Sequence, residues 1–159
     1  MQKKIATISM LIAIGVVLQY IDSLIGGKIG IANIVNIIAI PIFSPMIVFF
    51  IAISRALLGG LLGGGFMSAM YSVCGSILAV SVMLVCKPNK KLSFVGIGML
   101  GAVAHNIGQI TLACTLSGSF APLAYLPYYL LLSAFSGGAI GYLGEWLVSK
   151  RYIWLPVQK

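Results

Sequence analysis

Apolar residues run through this chain in long blocks, and the polar, glycine and proline positions fall where those blocks end. The pattern predicts helices over 5–21, 31–40, 45–58, 66–86, 94–116 and 123–148. A glycine-rich connection, Gly26-Gly27-Lys28-Ile29-Gly30, separates the first two. Pro41 and Pro45 bracket a tight turn before the third. The run from Leu57 through Gly65, with its repeated Gly-Gly pairs, is expected to end that third helix. The second and third helices are the shortest, and their ends are set by the weakest signals. The opening Met1-Gln2-Lys3-Lys4 and the apolar stretch after it resemble a secretory signal. No small-residue cleavage site follows, since Gln19-Tyr20-Ile21-Asp22-Ser23-Leu24 comes next, so a retained first helix is expected.

Composition turns these helices into membrane spans. Of 159 residues, 60% are hydrophobic and 8% charged, with a mean hydropathy of +1.11. A soluble domain carries about 25% charged residues, so this chain cannot clothe a water-facing surface. A single all-α domain over 1–159 follows, an integral membrane bundle of six transmembrane helices. At about 20 residues per crossing, the spans use about 120 residues and leave no extramembrane domain. With six crossings, Lys3, Lys4, Lys87, Lys90, Lys91, Lys150, Arg151 and Lys159 all fall on one side, eight of the ten basic residues. The positive-inside rule makes that side cytoplasmic, with both termini there, in a bacterial cytoplasmic membrane. Trp146 and Trp154 then suit an inner interfacial belt, and Tyr125, Tyr128 and Tyr129 an outer one. The net charge of +8 is an orientation signal that anionic lipid can reinforce. It is not a nucleic-acid footprint, because no basic groove exists without a domain in water.

The inventory of reactive groups narrows the chemistry. Asp22 and Glu145 are the only carboxylates, so paired acid–base catalysts and carboxylate metal cages are not expected. Cys74, Cys86 and Cys114 lack metal or redox spacing and read as free thiols in helices. One histidine, His105, cannot make a bis-histidine haem site, and no glycine run is followed by Lys-Ser or Lys-Thr as a phosphate-binding loop requires. The expectation is a protein that is not an enzyme and holds no metal or cofactor.

Several polar residues do not belong in oil. Arg55 and His105 both lie about 16 Å into their helices from the inner face. His105 and Gln109 are four apart on one helix face with Asn106 beside them, and Asn33 and Asn36 share a face of the second helix. Groups this deep are costly unless they turn inward and find partners, so a shared cavity is expected, with Asp22 and Lys28 on the outer connection above it. Each residue also has a plainer reading. Arg55 could tie down carbonyls at the broken end of its helix or pair with Asp22. His105, Asn106 and Gln109 could form a structural cluster, Asn33 and Asn36 could cap a helix start, and Asp22 and Lys28 could be solvated loop charges. Small residues along 68–79, 98–105 and 133–144 are expected to let helices approach closely. Ala6, Ser9 and Ala13 make a similar stripe on the first helix, for internal packing or for docking a membrane partner.

The segment Gly26-Gly27-Lys28-Ile29-Gly30-Ile31-Ala32-Asn33 resembles the GxKLGLAN signature of the Gx transporter family. The likeness continues through Ser54-Arg55-Ala56-Leu57-Leu58-Gly59-Gly60, Ala104-His105-Asn106-Ile107-Gly108-Gln109 and Tyr125-Leu126-Pro127. That family is similar to the substrate-binding S-components of energy-coupling factor (ECF) transporters, and is also labelled heptaprenyl diphosphate synthase component I. The resemblance implies a six-helix S-component-like fold and a membrane transport role. The expected cavity, with one fixed cation and several amides, suits a small, partly anionic or amide-bearing metabolite, and Tyr125, Tyr128 and Tyr129 could stack a planar ring at its mouth. The partners that the resemblance implies are a transmembrane coupling subunit, docked through the first helix, and two ATPase subunits. The alternative is an accessory membrane subunit of quinone or isoprenoid synthesis, or of flavin-linked extracellular electron transfer. From the cavity reading, the candidate substrate-binding residues are Arg55, His105, Asn106, Gln109, Asn33, Asn36, Lys28 and Asp22.

Overall fold

A computed structural model of the chain describes residues 2–25, 30–87 and 92–149. It is all-helical, with no strand among the described residues. Helix α1 is Gln2–Leu24, a 3-10 turn at Ile31–Asn33 leads into the short α2 (Ile34–Ala39), and α3 is Pro45–Cys86. Helix α4 is Phe94–Ser117, and a second 3-10 turn at Ala121–Tyr125 precedes α5 (Leu126–Ser149). Four of these elements are long and apolar enough to cross a membrane: α1, α3, α4 and the run Ala121–Ser149. The chain is therefore a membrane protein.

Two of the expected six helices need correction. The second is six residues of α-helix behind a 3-10 turn, about 9 Å of α-helix at 1.5 Å per residue and too short to span. The glycine run does not end the third helix at residue 58. The helix continues five residues further, and the expected third and fourth helices form one 42-residue element that departs from helical geometry only at Gly64 and Gly65. Gly65 sits at φ 74°, a backbone that L side chains adopt at a cost. The chain folds back there. A methyl group on Gly60 would lie 2.5 Å from the Ala69 Cα, whereas nine residues of unbroken helix would separate the two by about 13.5 Å. Pro45 opens α3 in the first turn, where its missing N–H costs nothing, and Ser93 caps α4 by accepting from the Gly96 amide at 3.2 Å.

Close approaches fix the order of packing. A methyl on Gly15 would meet the Arg55 side chain, on Gly59 the Gln19 side chain, and on Gly63 Ser23. The offset is 40 residues each time, so α1 runs parallel to the first half of α3. Gly75 lies on His105 and Gly108 on Cys74, which sets α4 antiparallel to the second half of α3. Gly98 meets Gly137 and Gly141, which turns α5 back along α4. Without a hydrophobic drive between helices in lipid, such backbone-to-backbone approach is what van der Waals association requires.

The bundle has two unlike halves. At the end that carries Lys3, Lys4 and Lys87, the interior is apolar and filled by Leu11, Val35, Ile37, Val48, Ile51, Val80, Met83, Ile97 and Ile140. There the Lys87 Nζ donates to the Ile40 carbonyl at 2.7 Å, joining the end of α3 to the end of the short α2 segment. The other half is polar inside. Outward, large apolar side chains such as Val17, Leu62, Phe66, Leu131 and Phe135 are exposed all round. Oil, not water, is the solvent such a surface suits.

Candidate functional site

The polar half encloses a cavity of about 550 Å³. Its wall is built from every full-length helix: Gln19 and Asp22 from α1, Arg55 and then Ser68, Tyr71 and Ser72 from α3, His105, Asn106 and Gln109 from α4, Tyr129 and Ser133 from α5. Asn33, from the first 3-10 turn, and Pro122 and Tyr125, from the second, complete it. The size falls within the range of small-molecule sites, about 300–1,000 Å³.

Arg55 organises one side. It is fully buried, and its three nitrogens each donate to an amide oxygen: NH2 to Asn33 Oδ1 at 2.9 Å, NH1 to Gln19 Oε1 at 3.1 Å, and Nε to Asn36 Oδ1 at 3.4 Å. The amides are themselves held. Asn36 donates to Asn33 Oδ1 at 3.3 Å, and Gln19 donates through Nε2 to the Ser72 hydroxyl at 3.0 Å. Gln19 thus accepts from the guanidinium and donates across to α3, and its orientation is fixed by both. Asp22 is 3% exposed, accepts the Gly30 amide at 2.9 Å and lies within electrostatic reach of Arg55. The cation is sheathed by amide oxygens and faces a carboxylate.

Helix α4 makes the opposing wall. Residues 105 and 109 are one helical turn apart, and the Gln109 amide nitrogen stands 3.1 Å from His105 Nε2. Asn106 turns toward α5 and donates to the Tyr129 carbonyl at 3.4 Å. Tyr125 and Tyr129 stack with ring centroids 6.2 Å apart and planes at 27°, and Tyr128 packs on Tyr129 at 5.6 Å.

The structure brings Arg55, His105, Asn106, Gln109, Asn33 and Asp22 to one cavity. Asn36 stands behind the wall as a partner of Arg55 and Asn33. Asp22 is no loop charge: α1 runs three residues past its expected end, and the carboxylate is buried in its last turn. Arg55 bonds amide side chains, not the helix-end carbonyls. Lys28 lies outside the described residues, as do Lys90, Lys91, Lys150, Arg151, Trp154 and Lys159. Ala6, Ser9 and Ala13 are exposed on the outer face of α1 rather than packed inside. Gln19, Tyr71 and Ser72 were not anticipated as site residues. For Gln19 a signal existed, since Gln19 and Asp22 are three apart and share a face of an otherwise apolar helix.

A bundle with an apolar exterior, an apolar core at one end and a polar, partly open cavity at the other defines a helical membrane protein. The chain belongs to the heptaprenyl diphosphate synthase component I family, whose family model matches residues 7–147. No curated protein and no solved structure matches it.

Proposed function

We propose that the chain is the substrate-binding membrane subunit of an ECF-type transporter, taking up a small polar metabolite. One observation carries the reading: polar side chains from α1, α3, α4 and α5, expensive in oil one at a time, surround a single 550 Å³ space. A scaffold that only spans the membrane has no need of such a space. In this reading the chain crosses six times, with residues 30–44 returning between α1 and α3 as a short, irregular pass. The end bearing Lys3, Lys4 and Lys87 faces the cytoplasm, the cavity opens toward the outside, and both termini lie inside. The small residues Ala6, Ser9 and Ala13, exposed on α1, supply the face for a transmembrane coupling subunit. Energy comes from ATPase partners, and the chain itself catalyses nothing. Its two carboxylates support that, since Asp22 lines the cavity and Glu145 sits at the opposite, apolar end of the bundle.

The family's description as a synthase component favours a second reading, an accessory membrane subunit beside a separate prenyl-transfer enzyme. Gln109→Leu separates the two, because Gln109 lines the cavity and is not bonded to the Arg55 cluster. A transporter subunit loses solute binding and uptake while still associating with its coupling and ATPase partners. An accessory subunit keeps its effect on prenyl-transfer activity and shows no solute uptake before or after the change.

A further inference from the structure

Resting on the reading of the cavity as a ligand site, we infer that its occupant carries no net charge: a planar, ring-bearing solute with hydrogen-bond donors and acceptors, not an anion. The wall holds one fixed cation, Arg55, and one carboxylate, Asp22, and the two act on one another. Their formal charges cancel among the described residues of the wall. Each nitrogen of Arg55 already donates to a side-chain amide oxygen. An incoming carboxylate or phosphate would have only the two remaining N–H groups of the guanidinium to accept from and would meet the Asp22 field at the same time. A diphosphate, with at least two negative charges, would fare worse still, since burying an unmatched charge is costly.

What the wall offers instead is dipoles. Gln109 and His105 face the chamber from α4, Ser68, Tyr71 and Ser72 from α3, and all carry hydrogen-bonding groups. Tyr125 and Tyr129 line the same space with rings 27° from parallel. A flat ring can lie against such a pair, because aromatic faces prefer offset stacking to isolation. Amides and hydroxyls on one side, stacked phenols on the other and balanced charge together select an uncharged heteroaromatic solute.

The test uses a near-isosteric pair, nicotinamide and nicotinate, that differs in charge and in the amide N–H donors, titrated into the full chain in nanodiscs with binding followed by ligand-observed NMR. Wild type is expected to bind nicotinamide at least tenfold more tightly than nicotinate and to show no saturable binding of inorganic diphosphate. Asp22→Asn leaves Arg55 unbalanced and is expected to reverse the order of the pair. Lys3→Ala, exposed at the opposite, apolar end of the bundle, is expected to leave it unchanged. Tighter binding of nicotinate or of diphosphate by wild type overturns the inference while leaving the cavity as a binding site. If His105→Leu and Gln109→Leu leave nicotinamide binding untouched, the site lies elsewhere and the underlying reading itself fails.

Discussion

Replacing Arg55 by methionine removes a buried cation while nearly preserving side-chain volume. Three amide oxygens, on Gln19, Asn33 and Asn36, lose a charged donor at once. Hydrogen bonds to charged groups contribute about 1.5–3 kcal/mol each in water-soluble proteins. Within membranes the measured average per bond is lower, about 0.6 kcal/mol. Asn36 and Asn33 keep their mutual bond at 3.3 Å, which softens the loss on that side. Asp22, 3% exposed, loses one favourable charge within electrostatic reach. Together these bound the destabilisation of Arg55→Met at about 2–5 kcal/mol. Reversible unfolding in mixed micelles, titrated with dodecyl sulfate and followed by helical circular dichroism, reads it directly. Because Asp22 is then buried with less positive charge around it, Asp22→Asn in the Arg55→Met background should recover about 1 kcal/mol, a coupling typical of residues in one network. A change under about 0.5 kcal/mol for Arg55→Met, with no coupling to Asp22→Asn, would refute the buried network.

Other substitutions probe other parts of the fold. Ser76 is fully buried, and its hydroxyl has no hydrogen-bond partner among the described residues, so Ser76→Ala should be neutral or stabilising by up to about 1 kcal/mol in the same unfolding assay. Gly98→Ala puts a methyl into the α5 backbone, against the Gly137 carbonyl and 2.9 Å from the Gly141 Cα, and should cost about 1–3 kcal/mol with loss of α4–α5 packing. At Gly65 the space is open and only φ, 74°, is demanding. Gly65→Ala should therefore cost about 1–3 kcal/mol, and Gly65→Asn about as much, because with ψ at −164° the residue lies outside the left-handed helical region that asparagine tolerates. Gly75→Ala would place a methyl 2.7 Å from the His105 carbonyl oxygen and 2.9 Å from its Cε1, and should weaken solute binding as well as stability, since α4 must back away from α3 beside the cavity wall.

Much of this architecture was legible because oil leaves a sequence few choices. Every backbone group in lipid must be paired internally, so long apolar blocks are helices, and α4 falls within one residue of its expected ends. The convergence of Arg55, His105, Asn106 and Gln109 followed from the same economy of polar groups. What misled were the residues with two meanings. Glycine breaks helices in water but is also the residue that lets helices touch in membranes. Gly59, Gly60 and Gly63 are contact points on Gln19, Ala69 and Ser23, and only the Gly64–Gly65 step turns the chain. Asp22 falls beyond the expected end of the first helix because a carboxylate in a span is rare, and Arg55, the cation within its electrostatic reach, is 33 positions away. The short α2 escaped because its boundary depends on the left-handed Gly30, φ 71°, and on the Asp22 bond to the Gly30 amide, neither visible as a pattern.

The central claim is that the chamber beside Arg55 holds a small molecule. Native mass spectrometry of the chain released from its own membrane into mild detergent tests it most directly. The account predicts a single small adduct of defined mass on the wild type, distinct from lipid, that is lost in His105→Leu and Gln109→Leu variants of unchanged helical content. A bare chain, or an adduct that persists unaltered through both substitutions, would contradict it.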